Sequence, residues 1–232
     1  FGPEHQDVAA SLTNLANTQQ MLGHHDRARA LYERALAIYE RRFGPSHPDV
    51  AMALSNLAGV HEEFEDNRRA QTLYERALQI REAALGPAHP DTAWARLSLA
   101  RTHSNLGQLP VARALYAQGI RGLEDALGPA HVELAFPLVE LARLAQDAHD
   151  DAEVRVHCER AVQLLAADAG APELLAEARY LLAQALWRLP PGAGQDRARA
   201  RVLVAQARTA VMGLPDQTVL RGELDALQAQ MR

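Results

Sequence analysis

The sequence predicts an all-α protein, a solenoid of antiparallel helix pairs, and three observations lead to this fold class. A residue pattern returns every 42 positions, apolar residues between its copies recur at helical spacing, and glycine, proline and polar residues interrupt the helical stretches at fixed places. A single unit of this kind cannot bury its apolar face alone. Successive units are therefore expected to stack on one another.

The most regular part of the repeat is an eight-residue linker. It reads FGPEHQDV at 1–8, FGPSHPDV at 43–50, LGPAHPDT at 85–92 and LGPAHVEL at 127–134. Glycine can close a helix in the left-handed conformation, proline cannot continue one, and the acid that follows suits the first turn of a new helix. Each linker therefore predicts the end of one helix and the start of the next.

A second block has the same 42-residue spacing. It reads YERAL at 32–36 and 74–78, a weaker YAQGI at 116–120, and CERAV at 158–162. Between linker and block the apolar residues fall on one face of each of two helices, as in the second repeat with Leu54, Leu57, Ala58 and His61, then Ala70, Tyr74, Ala77 and Ile80. Each repeat is therefore predicted to be two helices.

Short polar turns separate the two helices of a repeat. Residues 23–26 and 65–67 form such turns, and connections this short place the two helices antiparallel. Alanines such as Ala58 and Ala77 let the helices approach closely, and Tyr74 is expected to fill the space between them.

This spacing resembles the signature of the tetratricopeptide repeat (TPR). The 42-residue unit with its Gly-Pro-x-His-Pro-Asp linker is similar to the kinesin light chain subclass, and the resemblance covers residues 1–167. Tyrosine replaces the usual phenylalanine of the second helix, and histidine or glutamine replaces the usual tyrosine of the first. The resemblance implies a right-handed superhelix in which the first helix of every repeat lines a concave groove.

We expect one array with four regular repeats, a divergent fifth repeat and a capping helix, at 1–42, 43–84, 85–126, 127–168, 169–213 and 214–232. The fifth repeat restarts two residues early and carries an insertion at 190–194. The last segment, from Asp216, places Leu220, Leu224 and Leu227 on one helical face. Because the chain opens inside a linker, we expect a fragment of a longer array or of a multidomain protein, with a natural end at its C-terminus.

Composition and charge exclude several function classes. The net charge of −5 gives no general attraction to nucleic acid or to an anionic membrane, and no apolar run is long enough to span a bilayer. All 24 basic residues are arginine, which favours a GC-rich bacterial genome. The single cysteine, Cys158, excludes an internal disulfide framework and agrees with a cytoplasmic location.

No motif for catalysis, cofactor binding or metal binding is present, so the chain is predicted not to be an enzyme. The recurring His5, His47, His89 and His131 lie in separate linkers and are expected to cap helices or pack there. His61 is expected to be a core or interface residue, as is its counterpart His103. Cys158 occupies a position that each repeat buries, which indicates a structural thiol.

The resemblance implies which first-helix residues point into the groove. Carried onto this sequence they are Thr13, Asn17 and Gln20 in the first repeat, Ser55, Gly59 and Glu62 in the second, Trp94, Leu97, Arg101 and Ser104 in the third, and Phe136, Val139, Arg143 and Gln146 in the fourth. The predicted groove is small and polar in its early part and aromatic and cationic in its later part.

These residues suggest a protein or peptide partner with acidic and apolar side chains. Arg101 and Arg143 could bind carboxylates of an extended peptide, and Trp94 and Phe136 could supply apolar anchors. The alternative is that the arginines pair with acids of the chain itself, such as Glu62, Glu140 or Asp147, and that the aromatic rings pack within the stack.

The leading hypothesis is a scaffold that binds a partner protein in its groove. One alternative is a regulatory or sensor array of a larger bacterial signalling protein, an ATPase, kinase or protease whose catalytic part lies elsewhere. Another is a self-assembly module, because exposed solenoid ends stack readily. Binding of single-stranded RNA is disfavoured by the acidic charge and the few aromatic residues.

Overall fold

A computed structural model gives the fold for residues 2, 4–166, 170–190, 192, 194–212 and 218–231. All regular structure in these ranges is helical, which confirms the predicted all-α helical-repeat fold. The chain divides into two compact units, residues 1–126 and 127–232, and each is described by itself.

The first unit contains three antiparallel helix pairs. Its helices are α1 (Gln6–Met21), α2 (His25–Phe43), α3 (Pro48–Glu63), α4 (Asn67–Leu85), α5 (Pro90–Asn105) and α6 (Leu109–Leu127). Each helix packs against its partner in the pair, and α2 and α4 also pack against the first helix of the next pair.

The second unit begins with a short 3₁₀ turn at Val132–Leu134. Its helices are α7 (Ala135–Asp147), α8 (Asp151–Ala166), α9 (Pro172–Arg188), α10 (Arg197–Val211) and α11 (Thr218–Gln230). The predicted fifth helix pair corresponds to α9 and α10, and the predicted terminal helix to α11. Its predicted start at Asp216 lies outside the described residues, as do positions 191 and 193 of the insertion.

The linker histidines begin the first helix of their repeats. The Nδ1 atoms of His5, His47 and His89 accept hydrogen bonds from the backbone N–H groups two residues later, at 3.1–3.3 Å. His131 does the same for the 3₁₀ turn. Each imidazole thus satisfies one of the N–H groups that a helix start leaves unpaired, which confirms the predicted capping role.

A left-handed residue closes each first helix. The position is Gly23, Glu65, Gly107 and His149 in the four regular repeats, all with φ between 57° and 75°. Two glycines thus alternate with two side-chain-bearing residues in a conformation that L-residues adopt only at a steric cost.

The apolar positions predicted from the helical spacing form the core. Tyr74 is nearly fully buried, and Ala58 and Ala77 are completely buried. Leu57 of α3 packs against Ala28 and Tyr32 of α2, so the first helix of one repeat covers the second helix of the repeat before it. Burial of a leucine-sized side chain contributes about 1.5–3 kcal/mol, and this contact between repeats is therefore a main source of stability.

The third repeat replaces an apolar core pair with an arginine and a glycine. Arg96 and Gly122 stand where the second repeat has Leu54 and Ile80. Arg96 is only 9% exposed, and its guanidinium donates to Glu82 and to the Pro87 carbonyl oxygen, each at 2.8 Å. The buried charge is therefore paired and hydrogen-bonded, as burial requires.

This exchange also changes how the linker is held. In the second repeat, Arg76 of the second helix donates to the Pro45 carbonyl oxygen at 3.3 Å. Arg160 makes the equivalent bond to Pro129 at 2.9 Å. The third repeat has Gln118 at this position, and Arg96 from the first helix binds the linker carbonyl instead.

Candidate protein-binding surfaces

The predicted groove residues of the first unit lie on α1, α3 and α5 with different exposures. Asn17 and Arg101 are exposed, whereas Gln20, Ser55, Gly59, Glu62, Trp94 and Ser104 are half-buried. The hydroxyl of Ser55 donates to the Ala51 carbonyl oxygen at 2.9 Å, so its hydrogen-bond donor is already used.

Three predicted groove residues are buried within the helix stack and offer little surface to a partner. They are Thr13, Leu97 and Val139. Thr13 donates its hydroxyl proton to the Ala9 carbonyl oxygen at 2.9 Å. Leu97 faces Gly119 on the neighbouring helix α6. These side chains therefore serve packing within the stack.

Glu62 is the centre of a polar network between the second and third repeats. Arg101 donates to its carboxylate at 2.6 Å, Thr102 at 2.8 Å and the Tyr74 hydroxyl at 3.2 Å. Burial, and secondly the negative charge of Glu62, raises the pKa of Tyr74 well above its ordinary value. The tyrosine therefore stays a neutral donor. The network joins three helices, α3, α4 and α5, and holds the Arg101 side chain in place.

The first repeat contains a related contact at equivalent positions. The Tyr32 hydroxyl bonds Asn17 and, at 3.2 Å, Gln20. Tyr32 and Tyr74 are 42 residues apart, as are Gln20 and Glu62. The second-helix tyrosine thus anchors a polar first-helix side chain in both repeats, and replacing glutamine with glutamate adds the charge that attracts Arg101.

The predicted groove residues of the second unit lie on or near α7. Arg143 is exposed and Phe136 and Gln146 are half-buried. Arg143 binds two carboxylates of its own unit, that of Glu140 at 3.0 Å and that of Glu177 on α9. Gln146 donates to the side chain of Gln184, which in turn donates to the Tyr180 hydroxyl at 2.6 Å.

Both arginines are therefore engaged with acids of the chain. Arg101 pairs with Glu62 as the alternative interpretation expected, and Arg143 pairs with the expected Glu140. The second partner of Arg143, Glu177, was not predicted. It lies in the divergent repeat, where the loss of the 42-residue register hides which side chains face α7.

A cleft of about 620 Å³ opens in the second unit between α7, α9 and α11. It is lined by Arg143, Gln146, Asp147, Glu177, Tyr180, Leu181, Val219, Leu220 and Glu223. The sequence predicted Arg143 and Gln146 as surface residues but gave no sign of the α9 and α11 contributions. The leucine pattern of α11 predicted a helix, but it did not indicate that this helix would border the cleft.

The described residues contain no group of three histidine, cysteine, aspartate or glutamate side chains arranged to hold a metal ion. Within the same residues, no helix combines the length and apolar character needed to cross a membrane. Cys158 is completely buried, and burial together with the Glu177 charge raises the pKa of its thiol to about 12.

Two family models described as tetratricopeptide repeat match the sequence. One matches residues 8–49 and the other residues 49–125, so that together they cover the first three repeats almost completely. No significant match is found among curated protein sequences.

Several solved structures have the same fold. BtubC (BKLC) from P. vanneervenii matches with a TM-score of 0.77 at 20% identity, over 90% of this chain and 82% of that one. A Podosopora anserina kinesin light chain-type protein with nearly identical TPR-like repeats matches with a TM-score of 0.72 at 23% identity, over 91% of this chain and 99% of that one. MamA matches more weakly, with a TM-score of 0.58 at 12% identity, over 89% and 93% of the two chains.

Proposed function

Because this chain belongs to the tetratricopeptide repeat family, whose repeats generally mediate contacts between proteins, we propose that it is a scaffold that binds a segment of a partner protein. The segment lies on the first-helix faces of the repeats. Such repeats typically serve as scaffolds without catalytic chemistry, and the proposed role requires none.

One observation carries the proposal: polar side chains on the first helices are held in place by bonds between helices. Arg101 is bound to Glu62 in the first unit, and Gln146 is bound to Gln184 in the second. A surface whose side chains are already ordered loses less conformational entropy when a partner binds. The two units therefore present preorganised polar surfaces.

Apolar contacts would come from one aromatic side chain in each unit. Trp94 on α5 and Phe136 on α7 are half-buried, so each ring has one part packed in the stack and another part accessible. Partly accessible aromatic rings are frequent energetic centres of protein interfaces. We assign to them the apolar part of partner recognition.

The test replaces the two exposed groove arginines together, as Arg101→Glu and Arg143→Glu. Partner retention in a cross-linking and pull-down experiment should fall strongly, because the change breaks the ion pairs with Glu62, Glu140 and Glu177 that order the surface. The matched control is Arg42→Glu with Arg68→Glu, which makes the same charge change at two exposed second-helix positions. Equal retention by both double variants, with helicity intact by circular dichroism, would remove the first-helix surface from the proposal.

Self-association is a second candidate, and the first repeat contains the observation that favours it. Leu15 of α1 is 48% exposed. Leu15 and Leu31 line a small apolar cleft that a second copy could cover. Light scattering over a concentration series tests this: Leu15→Gln should abolish any dimer, and a monomer at every concentration would dismiss the candidate.

A further inference from the structure

The cleft of the second unit is acidic, although the sequence predicted a cationic surface there. Four ionisable side chains line it: Arg143, Asp147, Glu177 and Glu223. With one guanidinium and three carboxylates, the lining has a net charge of −2. The local field therefore favours a positively charged ligand.

Arg143 does not offset this charge for an incoming ligand. Its guanidinium is bound to Glu140 at 3.0 Å and also to Glu177. A carboxylate of a ligand would have to compete with two carboxylates already in place. The arginine thus organises α7 against α9, and its charge is neutralised within the unit.

Asp147 and Glu223 are differently placed. Among the described residues, neither carboxylate has a hydrogen-bond or ion-pair partner, and both line the cleft. Tyr180 lines the same cleft as Glu223, and burial, and secondly the charge of Glu223, raises the pKa of its hydroxyl. Two unpaired carboxylates therefore border the same space.

The position of Asp147 is electrostatically unfavourable for the fold. Asp147 is the last residue of α7, where the negative end of the helix dipole repels a carboxylate. Asp147 forms no ion pair with a cation of the described residues. The carboxylate therefore adds negative charge to the cleft without stabilising the helix.

The cleft also has an apolar side. Leu181 is buried at its base, Leu220 is partly covered, and Val219 is 75% exposed beside the acids. Lysine and arginine combine an aliphatic stem with a terminal cation, so one such side chain could cover the apolar part and reach the carboxylates. A small inorganic cation would leave the apolar side uncovered.

We propose that this cleft binds a basic segment of a partner protein, with a lysine or arginine cation next to Asp147 and Glu223 and its stem on Val219 and Leu220. The inference rests on the proposed scaffold function and specifies the partner chemistry in the second unit. For this cleft, a basic partner segment replaces the acidic one that the sequence suggested from Arg143.

The experiment measures binding of labelled model peptides by fluorescence anisotropy. The probes are a short peptide of alternating arginine and leucine, its counterpart with glutamate in place of arginine, and a neutral counterpart with glutamine. The basic peptide should bind most tightly. Asp147→Asn with Glu223→Gln should weaken its binding about tenfold, since each exposed pair contributes on the order of a factor of a few.

A matched variant separates the cleft from the general acidity of the chain. Glu63→Gln with Glu173→Gln removes the same two charges at exposed positions outside the cleft. This control should leave binding of the basic peptide within about twofold of the parent protein. Asp147→Arg with Glu223→Arg should reverse the preference toward the glutamate peptide.

Each outcome bears on the proposal in a defined way. Equal weakening by the cleft variant and the control variant would overturn it in favour of non-specific attraction, and tighter binding of the glutamate peptide by the parent protein would overturn it outright. Loss of natural-partner retention in the Arg101→Glu, Arg143→Glu variant would still support the scaffold function in either case. Denaturation curves should show that Asp147→Asn does not lower stability.

Discussion

The Leu97 side chain occupies the space that a Cβ atom at Gly119 would need. An ideal Cβ built at Gly119 would lie 2.4 Å from the Cδ2 atom of Leu97 and 3.2 Å from the Ala93 carbonyl oxygen. One repeat earlier, the same two positions hold Ser55 and Ala77. The larger residue on α5 is thus matched by the loss of a methyl group on α6.

This compensation predicts a double-mutant cycle with strong coupling. Overpacking by the added methyl group of Gly119→Ala should lower the free energy of unfolding by about 1–3 kcal/mol. The higher helix propensity of alanine offsets roughly 1 kcal/mol of this loss. Leu97→Ser should cost about 2–5 kcal/mol by leaving a cavity. The double variant restores the combination found in the second repeat, and its cost should be smaller than the sum by about 0.5–3 kcal/mol.

Chemical denaturation of the four proteins measures the cycle. Gly59→Ala is the matched control, since a Cβ there would meet only the Tyr74 hydroxyl at an ordinary 3.7 Å. That control should be neutral or stabilising by up to about 1 kcal/mol. Additive costs for Leu97→Ser and Gly119→Ala would show that the two residues do not share one space.

Comparison of the repeats shows which features of the structure the sequence alone could predict. The 42-residue period predicted the helix pairs, the histidine caps and the burial of Tyr74, because these depend on local spacing. It could not predict that Arg96 would cross to the Pro87 carbonyl oxygen, or that Glu177 would bind Arg143. Such contacts depend on the distances between packed helices. In addition, α9 and α11 depart from the 42-residue pattern, so their contacts could not be predicted from it.

A second prediction concerns the left-handed residue that closes α3. Glu65 has φ 57°, where the first repeat has Gly23 with φ 75°. Glu65→Gly should stabilise the protein by up to about 1 kcal/mol, because relief of the left-handed strain exceeds the entropy that glycine loses on folding. The reverse comparison is Gly23→Ala, which should destabilise by about 1–2 kcal/mol. Thermal unfolding of both variants measures the difference, and a loss of stability in Glu65→Gly would show that the Glu65 side chain makes a compensating contact.

A third prediction concerns the free thiol. Cys158 is completely buried, and the raised pKa leaves very little thiolate at neutral pH. Because thiolate is the reactive form, a thiol reagent should label the native protein only as fast as the chain opens, and label the denatured protein at once. Cys158→Ser should abolish labelling and lower stability by about 1–3 kcal/mol, through burial of a hydroxyl in an apolar site. Rapid labelling without denaturant would contradict the buried position.

The last prediction is a loss of stability in mild acid that depends on His61. Its imidazole is buried in α3, and burial, followed by the nearby charge of Arg69, lowers its pKa below the ordinary value despite the opposing charge of Asp66. In the unfolded chain the same imidazole takes up a proton near pH 6.5. Below about this pH the unfolded state binds more protons than the folded state, so the free energy of unfolding falls as pH is lowered toward the folded-state pKa.

His61→Gln should flatten this part of the pH profile, and the first repeat shows that the position accepts glutamine, since Gln19 stands there. The measurement is urea denaturation at a series of pH values on both sides of the ordinary histidine pKa. His24→Gln is the control, because His24 is exposed on the turn before α2 and its removal should leave the profile nearly unchanged. Equal flattening of the profile by both variants would mean that burial of His61 is not the cause of the acid sensitivity.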